Sequence, residues 1–572
     1  MINRAIHCLR PPSQLINPST STATATTTAT RNLATINMEN AHQHFLNTSG
    51  ETDPVWIHQF PYPKHPTFSP LSQNITTDVA IVGAGIAGIQ TAYELIERGK
   101  KVTMLEARHV LSGESGRTSG HLSNALDDEY THIKEKHGSS GARAAAESHT
   151  FAINRVGEIA RKLGVECEYR QLPGYKFSSI PRGQKGHDDD ISGIKWEAKT
   201  AKESGVDASF KEGLKVKGWD GKIDQQDGAI FNAQATFHPT KYLSGVLAWL
   251  KEQPNFACYA ETRATGIEEK SGHVEVSTDR GYTVTAGDCV EATCIPLQKL
   301  SIVAEMGYYR TYCIAIRVPR GTVEDCLIYD TEDPYKYIRF TACDEQDDYL
   351  VIGGCDHKVG QENTSGRFEE LENWVRERFT SAGKVDYRWS GQIMEPVDFM
   401  AFIGKNQGME HTYVVTGDSG NGLTHGVLAG RLIADEIEGK KNSWAGLYSP
   451  KRLASIGKSA GEMLRHDLQI NTQYKRWLQS DVGDIEDIVP GSGGVVHEGL
   501  KPVAVYKDDG GNTHKMSAVC PHMKGVVCWN DTEKSWDCPV HGSRFSCEGM
   551  CVEGPAKTGL QTMHQPQAAA AH

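Results

Sequence analysis

Two cysteines and two histidines near the C-terminal end are spaced to hold metal. They lie in Cys520-Pro521-His522 and Cys538-Pro539-Val540-His541, a C-x-H-x15-C-x-x-H pattern. Thiolate and imidazole together suit an iron–sulfur centre or a tetrahedral zinc site. A second chemical group lies far upstream. Gly83-Ala84-Gly85-Ile86-Ala87-Gly88 is a G-x-G-x-x-G run, with Glu106 further along the chain. Gly83 permits a tight turn, Gly85 lets backbone approach a pyrophosphate, and Gly88 lets a helix pack close to its strand. The amides at that helix's N-terminus face the phosphates, and an acid ~20 residues on binds a ribose hydroxyl.

Such a turn needs a strand before it and a helix after it. Thr77 to Val82 is a short apolar run that reads as a buried parallel strand. Ile86 to Arg98 has helical spacing, and Lys101 to Leu105 is a second strand ending at Glu106. This βαβ unit makes the fold α/β. Residues 56–72 read as an extended lead-in and 184–190 as a loop. Lys241 to Glu252 and Gly426 to Ile437 read as helices, and Thr412 to Val415 as a strand. The alternation over Tyr335 to Gly353 predicts an antiparallel sheet. Beyond Asp481 the chain changes to short strands and glycine-rich turns, which marks a domain boundary.

Composition bounds the partners. The 572 residues carry a formal net charge of -12, which argues against nucleic acid, since phosphate binding needs a basic surface. No apolar run reaches the ~18 residues of a membrane-spanning helix. Nine of the 14 cysteines are scattered, as expected of free thiols in a reducing compartment. The first 38 residues have no acid but contain Arg4, Arg10 and Arg31. That composition fits a mitochondrial transit peptide, with the matrix as destination, or a disordered tail and a cytoplasmic protein.

The metal pattern closely resembles the Rieske family over about residues 481–562. The resemblance implies a [2Fe–2S] cluster with Cys520 and Cys538 on one iron and His522 and His541 on the other. Gly542-Ser543-Arg544-Phe545 is typical of the loop that follows, and disfavours zinc. Respiratory members carry one further Cys in each loop, joined as a disulfide. The matching positions here are Gly525 and Val540, so that lock is absent. Phe545 replaces a Tyr that donates toward the cluster, while Ser543 remains. Fewer hydrogen bonds to sulfur imply a potential in the lower part of the Rieske range. Cys528, Cys547 and Cys551 are expected to pack rather than ligate.

Residues 75–440 resemble the D-amino-acid oxidase-like (DAO) flavoproteins. The resemblance rests on Gly113-Glu114-Ser115-Gly116-Arg117-Thr118-Ser119-Gly120-His121, Ala292-Thr293 and the late run Thr416-Gly417-Asp418-Ser419-Gly420-Asn421-Gly422-Leu423-Thr424. Cys294 stands where the family has a Gly. The resemblance implies FAD rather than NAD, held by Gly83, Gly85, Gly88, Glu106, Arg117, Thr118, Ser119, Gly417, Asp418, Gly420, Gly422 and Thr424. One branch of the family attaches its flavin to a His matching His121, but the aromatic residue that precedes it there is missing. His121 is thus either that attachment or a non-covalent active-site residue.

The expected architecture follows from these two resemblances. Residues 1–50 form a transit peptide or tail. Residues 51–440 form a Rossmann-type FAD-binding domain with a mixed α+β substrate domain. Residues 441–480 form a helical connector, 481–562 a small all-β Rieske domain, and 563–572 a tail. The resemblance further implies hydride transfer to flavin from a carbon next to nitrogen, in an amine or amino-acid-like substrate. Electrons would leave through the cluster to an unidentified acceptor, as in a dehydrogenase rather than an oxidase. The family's amino-acid oxidases place a carboxylate-binding Arg where this chain has Ile393. Arg339 is the alternative clamp, with Tyr337 and Tyr335 as an aromatic wall and His121 nearby. Cluster-to-flavin reduction and a redox-sensing electron carrier are the competing functions.

Overall fold

The computed structural model describes residues 51–223, 227–297, 302–362, 364–452 and 473–563. The expectations for residues 1–50, for residues 453–472 of the 441–480 connector and for residues 564–572 lie outside them. The first strand, Ile75–Val82, pairs in parallel with Val102–Leu105 on one side and Thr283–Glu291 on the other. Phe256–Tyr259 and Thr412–Thr416 extend this parallel core, and Phe402–Lys405 closes one edge antiparallel. Buried on both faces, these strands read as continuous apolar runs rather than alternating ones.

Two helices lie against this sheet. Ile86–Ile96 and Gly422–Ile437 pack together through glycine. A Cβ on Gly426 would stand 2.5 Å from Ile86 Cγ2, and one on Gly430 would stand 2.7 Å from the Gln90 carbonyl carbon. The 34-residue helix Tyr130–Leu163 covers the pair, broken only at Gly138, where φ is 71°. Neither its length nor its break was evident from the polar composition of the region. The loop expected at 184–190 runs into helix His187–Ser204, whose first turn holds Asp188, Asp189 and Asp190. Acids are stabilising at that end of a helix dipole, so a charge run that looks like a loop begins a helix. The extended lead-in is likewise corrected: Val55–Gln59 is a helical turn with Trp56 fully buried.

A second, mixed sheet of nine strands forms the other half of the flavoprotein region. Its edge is a long antiparallel ribbon, Met306–Pro319 against Val385–Pro396, with Asp347–Lys358 on the inner side. Register places Tyr308 opposite Met394, Arg310 opposite Gln392 and Tyr312 opposite Ser390 on one face. Tyr309 opposite Ile393 and Thr311 opposite Gly391 then point to the other face. The C-terminal region is all β. It has a three-stranded sheet, Ser492–Glu498, Lys501–Lys507 and Thr513–Ser517, and a four-stranded one, Cys528–Asn530, Ser535–Asp537, Arg544–Ser546 and Cys551–Glu553. No helix among the described residues is long and apolar enough to cross a membrane.

Candidate functional site

Gly83 sits at φ 108° between the first strand and helix Ile86–Ile96, where a Cβ would strike the carbonyl of Ala292. A Cβ on Gly88 would strike the carbonyl of Gly83, so this helix approaches its strand only because Gly88 is bare. Glu106 holds the turn, accepting from Ala84 N at 2.9 Å and Arg108 N at 3.0 Å. Ser115 accepts from Ile86 N at 3.0 Å. It belongs to the quoted glycine-rich segment but was not singled out as a site residue. Gly417 and Gly420 take φ values of 70° and 74°, turning strand Thr412–Thr416 into the second helix N-terminus. Asp418 lies inside that turn, receives Met394 N at 3.4 Å, and is pushed by burial to about 7. Two bare glycine turns, each opening a helix, with an acid at the end of the second strand, form a cradle that fits a dinucleotide.

Other sequence-predicted residues are placed differently. Arg117 turns away from this cradle: its Nε donates to Ser390 O at 2.7 Å and its Nη2 to Thr52 Oγ1 at 2.7 Å. Thr118 Oγ1 caps Gly120 N, and its carbonyl receives the Trp56 indole at 2.6 Å. Ser119 bonds His121 Nδ1 at 2.9 Å. Thr424 faces His149 at 2.8 Å, and His149 in turn meets His425 at 3.2 Å. Burial lowers both imidazoles, so this pair behind the flavin motif is neutral. Histidines at 149 and 425 carry no motif, which is why they were missed. Cys294 adopts φ 66°, the left-handed conformation that a Gly tolerates at no cost.

Arg339 is not a substrate clamp. Its guanidinium is fully buried and donates to the carbonyls of Gly120, Phe237 and Phe340 at 2.7–2.9 Å, over the Trp56 ring. Four of its five N–H donors are spent on backbone oxygen, which leaves no free pair for a bidentate carboxylate. It fixes the backbone beside His121 instead. Both His121 ring nitrogens are engaged, by Ser119 and by Ile338 O at 3.0 Å. Burial, then Arg339, lowers its pKa to about 3. Tyr337 stands edge-on to His121, its ring centroid 5.4 Å away, and bonds Thr311 at 2.9 Å.

Sequence reasoning also missed a set of carboxyls on this face of the ribbon. Asp127 abuts Gly420 of the flavin motif, where a Cβ would come within 3.0 Å of its carboxyl carbon. Burial raises it to about 6, opposed by a hydrogen bond from Tyr335. Asp128 is raised further by burial and by its neighbours Asp127 and Glu395. Asp356 is raised by burial to about 7, and its Oδ1 has no hydrogen-bond partner among the described residues.

The cluster site lies across the ribbon. Cys520 and Cys538 are buried with their sulfurs in mutual contact, and that shared hydrogen bond pulls Cys520 down to about 7. The His522 and His541 rings lie 5.0 Å apart, centroid to centroid. Two adjacent sulfurs and two adjacent imidazoles fit a two-iron cluster better than one tetrahedral ion. A Cβ on Gly525 would stand 3.3 Å from Val540 Cβ, so the two positions of the absent disulfide do face each other and Val540 fills the gap. Cys528 donates to Gly360 O at 2.8 Å and Cys551 to Ala556 O at 3.1 Å, away from any ligand role. The histidines differ: His522 is half-buried, while His541 is 5% exposed. What covers His541 is the flavoprotein region, with the Tyr308 ring edge-on at 6.3 Å and Gln392 Nε2 donating to Gly542 O at 3.0 Å.

Comparison with known proteins agrees with both cradles. The family model described as "DAO: FAD dependent oxidoreductase" matches residues 78–436, and that of the Rieske [2Fe-2S] domain matches 479–564. A putative Rieske 2Fe-2S iron-sulfur protein of Bacillus subtilis, YhfW, is 26% identical over 90% of this chain and 98% of its own length. Gamma-glutamylputrescine oxidoreductase of Escherichia coli is 25% identical over 66% of this chain and 87% of its own. Glycine oxidase from Geobacillus kaustophilus shares the fold, with a TM-score of 0.55 and 18% identity over 66% of this chain and 99% of that one. The chain belongs to the DAO-type FAD-dependent oxidoreductases and carries a Rieske [2Fe–2S] domain at its C-terminal side, so its cofactors are FAD and that cluster.

Proposed function

We propose that the protein oxidises the C–N bond of an amine, passing the electrons through the cluster to a one-electron acceptor. The observation that carries this reading is the ribbon. One face looks toward the flavin motif and the carboxyls, and the other seats the cluster loop. Bound FAD would take the hydride from the carbon next to nitrogen, and the cluster would relay its two electrons singly to two equivalents of the acceptor.

This chain's own residues favour a cationic substrate. Asp127, Asp128, Asp356 and Glu395 crowd one another beside the flavin motif, so an ammonium group would relieve their repulsion. Carboxyls held at about 6 and 7 can also accept an ammonium proton near neutral pH. Tyr335 and Tyr337 supply aromatic faces for the alkyl portion. Arg339 does not stand in for the carboxylate clamp, since four of its five donors go to backbone. The E. coli relative named for gamma-glutamylputrescine, itself an amine, supports the same class. His121, neutral and held at both nitrogens, lines the site rather than carrying the flavin.

The test is anaerobic. The purified chain with both cofactors is mixed with diamines, secondary amines, N-methyl amino acids and D-amino acids. Bleaching of the flavin band by amines, followed by the EPR signal of a reduced cluster, is the expected result. Bleaching by amino acids alone would overturn the amine assignment. A flavin that responds to none, yet is reduced once the cluster is reduced, would move the function to cluster-to-flavin reduction.

A further inference from the structure

The seam between the two cofactor regions contains a group that no motif explains. Glu533 lies in the turn between strands Cys528–Asn530 and Ser535–Asp537, and its side chain is fully buried. Its carboxylate meets Arg310 Nη2 at 3.3 Å and Arg117 Nη2 at 3.8 Å. It also accepts from Thr52 Oγ1 at 2.7 Å, Thr52 N at 3.2 Å, and the Ser390 hydroxyl. Every one of these partners belongs to the flavoprotein region. Burial alone would raise this acid, but Arg310, Arg117 and Arg544 overcome that and hold it at about 2. A buried charge is tolerated only when paired and hydrogen-bonded this fully.

A second line of contacts runs parallel to the first. Glu114, next to Ser115 of the flavin cradle, accepts from Gln392 N at 2.7 Å. The Gln392 side chain then donates to Gly542 O, the peptide that follows ligand His541. Gly542 takes φ 69°, and a Cβ there would stand 2.6 Å from Gln392 Nε2 and 2.9 Å from Tyr308 Cδ1. The cluster loop is therefore seated without slack.

We infer that Glu533 is a positioning residue that locks the Rieske domain onto the flavin domain, keeping the His541 edge of the cluster seated on Tyr308 and Gln392. Electron exchange between the two cofactors then occurs within one chain at fixed geometry, not by a swinging domain. Each event moves one electron between the two sites, makes and breaks no bond, and leaves the Glu533 carboxylate ionised. His522, on the same side of the cluster as His541 but half-buried, is left as the edge open to an external carrier. This inference rests on the reading that flavin and cluster exchange electrons, and its test separates the two.

The full chain with both cofactors is compared with Glu533→Gln, Glu533→Asp and Gln392→Leu. Hydrogen–deuterium exchange reads the lock directly, through protection of residues 540–546 and 306–312. Flash photoreduction of the flavin, followed by the cluster's absorbance, reads the exchange rate. Glu533→Gln is expected to expose both segments and slow cluster reduction at least tenfold. Flavin content and the EPR line shape of the cluster should stay unchanged, and Glu533→Asp should recover part of the rate. Should Glu533→Gln fail to fold, Gln392→Leu, which removes only one donor to Gly542 O, carries the same test. Unchanged protection in these variants would overturn the lock. A wild-type rate that rises with protein concentration would overturn the intramolecular route. Intact protection with no cluster reduction in the wild type would instead sink the electron-exchange reading and leave the docking standing.

Discussion

The two faces of one β-ribbon treat buried charge in opposite ways. On the seam face, Glu533 is surrounded by Arg310, Arg117, Thr52 and Ser390 and is held ionised. On the flavin face, Asp127, Asp128 and Asp356 are pushed toward their neutral forms by burial first, and then by further carboxyls. Lys176 and Lys336 only partly offset that repulsion. The seam has its counter-charges built in, as suits a contact that holds two domains together. The flavin face does not, and an incomplete set of charges suits a place where a cation arrives from outside.

The sharpest way to break this contrast is Glu533→Ala. Leaving arginines buried without their anion should cost about 3–5 kcal/mol, read as a lowered and split calorimetric transition of the fully loaded chain. A single transition at the wild-type temperature would mean that the seam charges hold nothing. The second test is pH. Glu533 sits at about 2 in the fold against 4.5 as a free group, so its contribution is complete above about 4.5 and fades as pH falls toward 2. That contribution is on the order of 3 kcal/mol. The acids of the flavin face run the other way. Asp356 rises from 3.8 to about 7 and Asp127 from 3.8 to about 6, so their cost is absent below pH 3.8, grows as pH rises from there, and is complete above about 7 and 6. Acid should undock the domains, and the rise from acid to neutral pH should loosen the flavin face, each monitored by segment-resolved hydrogen exchange. If acid loosens both faces together, the contrast fails.

Smaller effects sharpen it. Asp356→Asn should weaken binding of a cationic amine about tenfold, near 1.4 kcal/mol. The same change should raise the stability of the amine-free protein at pH 8 by on the order of 1 kcal/mol, because it removes one repelling charge. Titration calorimetry and thermal melting check the two halves; a loss of stability at pH 8 would contradict crowding of buried carboxyls on the flavin face. Smallest of all, Gln392→Leu should cost about 1 kcal/mol of docking, visible as faster exchange at residues 540–546 with the flavin face unmoved.

The legibility of these parts in the sequence follows their locality. Gly83 to Gly88, Glu106 and the Cys520–His541 pattern are short-range arrangements whose spacing alone carries the chemistry, and the fold built both cradles around them. The seam is a convergence of Thr52, Arg117, Arg310, Ser390 and Glu533, drawn from five separate segments, and no window of sequence contains it. Arg117 and Arg339 show the cost of reading single residues. Each sits in the right segment, but a guanidinium reaches far enough to serve a neighbour instead, and hydrogen bonding decides which. The carboxyls were hidden for the opposite reason. Asp127 and Asp128 look like ordinary surface acids until the helix of residues 422–437 and the ribbon close over them.

The hydrogen bond from Thr52 to Glu533 joins residues 481 positions apart. During vectorial synthesis Thr52 can meet Arg117 early, but it gains Glu533 only when almost the whole chain has left the ribosome. Arg117 and Arg310 wait as long for their counter-ion, so the flavin domain must first fold with this edge unfinished. The Glu533 turn is thus the last stitch of assembly: a chain that stops short of it leaves Arg117 and Arg310 without the carboxylate that neutralises them.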